Sequence, residues 1–131
     1  MVQGPRTLWQ RDLILGAGAV GAVCRGIAYL PHARTSEVRQ LWPIEAWMPL
    51  TWWAIVWIAT GVLLAASIMW RRLSMPGMAV LAGLLTAWAV SYWWSWWALD
   101  VSRAWVTGGL FLMAAVWAGV IASLLERGRR G

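Results

Sequence analysis

Three long runs of this sequence contain no charged residue. They cover residues 50–70, 77–99 and 104–125. A helix rises 1.5 Å per residue, so about 20 apolar residues cross the hydrocarbon core of a bilayer. A soluble domain of 131 residues has too little interior to hide this much apolar surface. We therefore predict an all-α, polytopic membrane protein.

A fourth apolar run covers residues 13–30 and contains one charge, Arg25. It is long enough to span the membrane if the arginine is tolerated. We therefore predict a single four-helix transmembrane bundle over residues 1–131, with residues 31–49 lying on the outer membrane surface. A cleaved signal peptide is the alternative for the first run, but the run stays apolar to Leu30, beyond any such cleavage site.

The composition also favours a membrane protein. Hydrophobic residues make up 61% of the chain and charged residues 12%, about half the charged fraction of ordinary soluble domains. All positive side chains are arginine, the net charge is +6, and the arginines cluster between the apolar runs. A nucleic-acid-binding protein would place them along one polar face. We predict contact with a lipid bilayer of anionic headgroups, and no nucleic acid partner.

The distribution of arginine predicts the orientation of the bundle. In a four-span protein, seven arginines flank the spans on one side and three on the other: Arg6, Arg11, Arg71, Arg72, Arg127, Arg129 and Arg130 against Arg34, Arg39 and Arg103. Loops rich in arginine stay in the cytoplasm. We therefore predict a multi-pass protein of the inner (cytoplasmic) membrane with both termini cytoplasmic.

Residues 90–100, "VSYWWSWWALD", concentrate four tryptophans at the end of the third run. On a helical wheel of about 100° per residue, they and Tyr92 spread over roughly 200°. A ligand cage would need the rings to converge, whereas rings spread at one depth are typical of an interfacial belt. We predict an outer interfacial belt, with a quinone, sterol or aromatic-ligand pocket as the alternative. The belt residues are Trp93, Trp94, Trp96 and Trp97.

Small residues recur four positions apart on three of the runs. The sets are Gly18, Ala22 and Gly26; Ala87, Ser91 and Ser95; and Ala115, Gly119 and Ser123, beside a parallel set of Ala114, Ala118 and Ala122. Such faces let helix backbones approach closely in a membrane. We predict that they pack the helices into a tight bundle or a homo-oligomer.

Arg25 is the residue with the sharpest functional interpretation. A charge within a span is costly, usually paired and often functional. Because Asp100 lies at the same predicted outer boundary, we predict an intramembrane charge pair of Arg25 and Asp100. The alternatives are a snorkelling Arg25 and a role of Arg25 in transport. Asp100 and Ser102 are also available to cap the fourth helix.

Catalytic and metal-binding residues are not apparent in the sequence. The chain has five acidic residues and a single histidine, His32, and no cluster of them has the spacing of metal ligands. No set of nucleophile, base and acid is credible with His32 in a link. We predict that the protein is not an enzyme and uses no metal or cofactor.

Several features of the sequence, taken in order, resemble those of a known group of membrane proteins. The stretch "RGIAYLPHA" leads into a link rich in Trp and Pro, three uncharged runs follow, and the chain ends in "ERGRRG". This all-arginine, Trp-rich pattern resembles the small membrane proteins encoded by phages of high-GC actinobacteria, some of which are holins or holin partners. The resemblance implies a holin-class effector that oligomerises and permeabilises the inner membrane. The alternatives are an accessory subunit of a larger membrane complex and a small channel or transporter that uses Arg25.

Overall fold

The computed structural model describes residues 5–30 and 42–131, without the side chains of residues 5–7 and Arg129. The regular structure of this part of the chain is entirely helical, which confirms the all-α class. Its elements are α1 (Pro5–Ala28), the short α2 (Trp42–Glu45), α3 (Leu50–Met69), a 3-10 turn (Arg71–Leu73), α4 (Ser74–Leu99) and α5 (Ala104–Arg130).

Three helices of the described chain are long and apolar enough to cross a membrane. They cover Leu50–Met69, Arg71–Leu99 and Ala104–Gly128. Helix α1 has 24 residues and is about 36 Å long, more than the roughly 30 Å of a hydrocarbon core. It is not one of the three because charged residues interrupt it at Arg11, Asp12 and Arg25. A crossing by α1, and thus the fourth span, stays a prediction.

The long helices pack as two antiparallel pairs. Helix α1 lies along α3, α4 lies along α5, and the pairs meet mainly where α3 contacts α4. Arg11, near the start of α1, donates to the carbonyl oxygen of Ile68 at the end of α3. Trp93, near the end of α4, donates to the carbonyl oxygen of Trp105 at the start of α5. These contacts fix the antiparallel direction in each pair.

The two ends of the bundle differ in composition. The arginine end combines the starts of α1 and α4 with the ends of α3 and α5, and its described arginines are Arg11, Arg71, Arg72, Arg127 and Arg130. The opposite tryptophan end carries exposed indoles, namely Trp52, Trp93, Trp94, Trp96, Trp97 and Trp105. The start of α1 and the end of α5 therefore lie at the same end of the bundle.

Two glycines let α1 and α3 approach backbone to backbone. A Cβ atom on Gly26 would lie 2.7 Å from the carbonyl oxygen of Ala54 and 2.6 Å from Cγ1 of Ile58. A Cβ atom on Gly61 would lie 2.9 Å from the carbonyl oxygen of Ala19. Any side chain at either position would force the helices apart, so this crossing requires glycine.

The predicted small-residue faces form only part of the helix contacts within one chain. In the first set, Ala22 and Gly26 are buried, and Gly18 faces Leu64 and Leu81. In the second set, Ser91 and Ser95 are buried and Ala87 is exposed. In the third set, Ala115 is buried, whereas Gly119 and Ser123 are exposed. Beyond Ala115, the buried side of α5 follows Ala118 and Ala122 instead. A row of residues four apart drifts by about 40° per step around a helix, and this drift turns Ser123 outward.

Candidate functional site

Arg25 lies in the last turn of α1, and its side chain reaches α4 and α5. Its Nη2 donates a hydrogen bond to the hydroxyl of Tyr92 at 2.9 Å. Its Cζ atom lies 4.6 Å from the ring centre of Phe111 and 5.1 Å from that of Tyr29. One guanidinium therefore contacts residues from both helix pairs, at the tryptophan end of the bundle.

Aromatic rings pack on one another around Arg25 and hold its partners in place. Trp88 is fully buried, and its Nε1 donates to the hydroxyl of Tyr29 at 2.6 Å. Trp53 and Trp57 meet Trp88 edge to face, each with ring centres 5.2 Å apart. The ring of Tyr92 stacks on that of Phe111 at 5.4 Å. We call the group of Arg25, Tyr29, Trp88, Tyr92 and Phe111 the Arg25 cage.

The charge of the cage is only partly balanced by its surroundings. A guanidinium stays charged in proteins and offers five N–H donors. Among the described residues, Arg25 forms no ion pair with a carboxylate, and its Nε is buried without a hydrogen-bond partner. The faces of Phe111 and Tyr29 and the negative end of the α1 dipole provide partial compensation. Within the described part of the chain, a net positive charge therefore remains at this position.

The structure does not bring Arg25 and Asp100 together, which corrects the predicted charge pair. Asp100 is exposed and ends α4 in the left-handed conformation, with φ of 53°. Tyr92, the residue that Arg25 contacts, lies two helical turns earlier, about 12 Å along the α4 axis. Neither Asp100 nor Ser102 caps α5, because its N-cap residue is Arg103 and no side chain caps it.

The tryptophan-rich stretch divides between the surface and the interior. The four predicted belt residues, Trp93, Trp94, Trp96 and Trp97, are all exposed, up to 74% for Trp97. Tyr92, which the sequence places with the belt, is only 5% exposed and faces the cage. Exposure of these indoles at one end of α4 is what an interfacial belt requires.

Tyr29, Trp88 and Phe111 are neighbours of Arg25 that the sequence pattern does not predict. One signal was available in α4, since Trp88 and Tyr92 are four residues apart and share a helix face. That face also carries the buried Ser91 and Ser95. An inward aromatic pair beside small residues was therefore visible in the sequence, although its partner helix was not.

The described part of the link after α1 packs onto the tryptophan end. Ile44 in α2 is buried, and its carbonyl oxygen accepts a hydrogen bond from Nε1 of Trp53 at 3.2 Å. Trp42 and Trp47 are exposed. The rest of the predicted surface link, residues 31–41, lies outside the described residues, and so does His32.

Arg11 forms a second polar cluster at the arginine end. Its Nη2 donates to the carbonyl oxygens of Ile68 at 2.9 Å and Ser67 at 3.4 Å, and it forms an ion pair with Asp12 at 2.9 Å. The carbonyls at a helix end have no partner within the helix and carry partial negative charge. Arg11 therefore caps α3, which is a structural role.

The described chain is an all-helical bundle with a caged arginine, and three of its helices are long and apolar enough to cross a membrane. No protein-family model, curated protein or solved structure matches the chain.

Proposed function

We propose that the protein is a non-enzymatic, four-span protein of the inner membrane with both termini cytoplasmic. It acts as a holin-class effector does, by assembling with other helices in the bilayer. The outward side of α5 carries this proposal. It combines exposed apolar side chains with small residues that no part of the described chain covers; these are Leu110, Met113, Val116, Trp117, Gly119, Val120, Ser123 and Leu124. Small residues at such a surface let another helix approach.

The charge distribution supports the proposed orientation. The arginine end gathers five described arginines from four helix ends, whereas Arg25 and Arg103 lie at the tryptophan end. Arginine-rich flanks remain on the cytoplasmic side during insertion. The exposed tryptophans of the tryptophan end then lie at the outer interface, where indoles are favoured.

The buried hydroxyl groups argue against a solute path through a single copy. Thr60 donates to the carbonyl oxygen of Val56 at 2.8 Å, and Ser67 donates to that of Leu63 at 2.7 Å. These two donors are used within α3, and conduction needs several polar lining groups. Permeabilisation by this protein would therefore require several copies, which favours an assembly over a monomeric channel using Arg25.

Induced expression with a membrane-potential dye tests the proposal. Wild-type protein should collapse the potential and arrest growth. Gly119→Leu should weaken both effects, because the larger side chain blocks close helix approach. Gly83→Leu is the matched control, since Gly83 is also an exposed helical glycine with nothing within 4 Å of an added Cβ atom.

The same experiment separates the holin-class effector from the accessory subunit. Full-length protein that accumulates in the membrane without loss of potential would contradict the effector. An accessory subunit would instead be lost from cells that lack its partner. Co-expression of that partner would restore its level in the membrane.

A further inference from the structure

We infer that the Arg25 cage binds the phosphate of an anionic phospholipid, whose headgroup sits where α1, α4 and α5 meet at the tryptophan end. This goes beyond the proposed function, in which Arg25 has no role. It also does not depend on assembly of several copies, since all residues of the cage belong to one chain.

The positive charge of Arg25 favours binding of an anion. A cation at membrane depth is normally paired with an anion. Within residues 5–30 and 42–131, Arg25 has a phenol hydroxyl and two aromatic faces as partners, but no carboxylate. Its buried Nε still lacks an acceptor. A bound anion would neutralise this charge.

The depth of the cage points to a lipid headgroup as the source of that anion. Arg25 lies three residues before the end of α1, about 5 Å below it. On α4, Tyr92 directly precedes Trp93, the first residue of the exposed belt. Belt tryptophans mark the level of the headgroups. Lipid phosphates are therefore within reach of the long arginine side chain, and their acyl chains hold them there.

The cage lies between two helices that do not pack closely on each other. Helix α5 packs along α4, whereas α1 touches α4 only slightly. Arg25 spans the space between α1 and α5, because it belongs to α1 and its guanidinium lies over the ring of Phe111 in α5. Leu110, next to Phe111 in α5, is an exposed apolar side chain that suits an acyl chain.

The headgroup should carry a net negative charge. A guanidinium binds a phosphate through two parallel N–H donors, which a planar fork allows and an ammonium does not. A zwitterionic headgroup brings its own ammonium group to its phosphate and competes with Arg25. A phosphoglycerol headgroup has no such cation, so phosphatidylglycerol is the probe of choice.

Native mass spectrometry of the purified full-length protein tests the site. Phosphatidylglycerol should bind as a single tightly held lipid per chain, and phosphatidylcholine should bind more weakly. Arg25→Met should weaken phosphatidylglycerol binding by about tenfold or more, the loss expected for a charge-assisted hydrogen bond. Arg103→Asn is the matched control, because it removes an exposed arginine at the same end and asparagine tolerates the left-handed backbone there. It should leave binding within about twofold.

Three results would overturn the inference. They are unchanged binding in Arg25→Met, equal binding of both lipids, and release of the lipid by millimolar inorganic phosphate, which would make a free anion the ligand. A measurement on the wild-type protein covers the case in which Arg25→Met does not fold. Phosphatidylglycerol with a photoreactive headgroup should label the end of α1 and the region of Phe111, and labelling spread evenly over all helices would reject the site.

Discussion

The Nη2 atom of Arg25 donates a hydrogen bond to the hydroxyl of Tyr92 at 2.9 Å, across 67 positions of sequence. This contact joins α1 to α4, and the two helices otherwise touch only slightly. Because α1 belongs to one helix pair and α4 to the other, the hydrogen bond helps to hold the two pairs in register.

Tyr92→Phe should lower the free energy of unfolding in detergent by about 1–2 kcal/mol, because it leaves a partly buried cation without its hydroxyl acceptor. The ring and its stacking on Phe111 are retained. Unfolding followed by circular dichroism measures the change. In a double-mutant cycle, Tyr92→Phe and Arg25→Met should together cost less than the sum of their separate effects.

The same cycle applied to Arg25→Met and Asp100→Asn is the control. Since the two residues do not contact each other in the structure, their effects should add within about 0.5 kcal/mol. A larger coupling between Arg25 and Asp100 would show that the charge pair predicted from the sequence forms in solution.

Gly26→Ala should destabilise the α1–α3 pair by about 1–3 kcal/mol. The added Cβ atom would lie 2.7 Å from the backbone oxygen of Ala54, and a backbone atom cannot rotate away as a side chain can. Thermal unfolding in a single detergent measures the loss. Gly21→Ala, in the same helix, is the control, since nothing lies within 4 Å of its added Cβ atom.

Gly21→Ala should leave stability unchanged or raise it by up to about 1 kcal/mol, because alanine favours the helix more than glycine does. Equal effects of the two substitutions would contradict the close approach of α1 and α3 at Gly26.

Arg11→Met should lower stability by about 1–2 kcal/mol, since it removes the donor to Ile68 and Ser67 at the end of α3. Arg72→Met, an exposed substitution at the same end, should stay within about 0.5 kcal/mol of wild type. Chemical unfolding of both variants measures the difference. A loss in Arg72→Met as large as that in Arg11→Met would mean that net charge at this end, rather than the cap, stabilises the protein.

Reporter fusions test the orientation. Fusions at Gly131 and after Ser74 should be cytoplasmic, and one near Thr35 should be external, because seven arginines flank the proposed cytoplasmic side and three the other. Alkaline phosphatase and a cytoplasm-active fluorescent protein report opposite sides. An external C-terminus would reject four spans with cytoplasmic ends.

The positions of the long helices were predictable from the sequence, because length and hydrophobicity are local properties. The run 50–70 corresponds to α3, Leu50–Met69, and the last two runs lie inside α4 and α5. Helix α1 begins at Pro5, well before the run at 13–30. Arg11 and Asp12 interrupt the apolar pattern without ending the helix, since Arg11 is accommodated by the carbonyls of α3.

The roles of individual small and aromatic residues depended on tertiary structure. Gly21 and Gly26 look alike in the sequence, but only Gly26 meets another backbone. Tyr92 and Trp93 are adjacent, yet one faces the cage and the other the surface. A residue's side of a helix follows from the 100° step, but which side meets another helix depends on how the helices cross.

Arg25 shows most clearly the difference between what the sequence predicts and what depends on tertiary structure. The apolar pattern around Arg25 predicts a charge near the end of an apolar helix, where it needs partners. The packing of the two helix pairs makes these partners Tyr92, Tyr29 and Phe111 rather than Asp100. Register explains the difference, because two turns of α4, about 12 Å, separate the tyrosine that contacts Arg25 from the exposed aspartate.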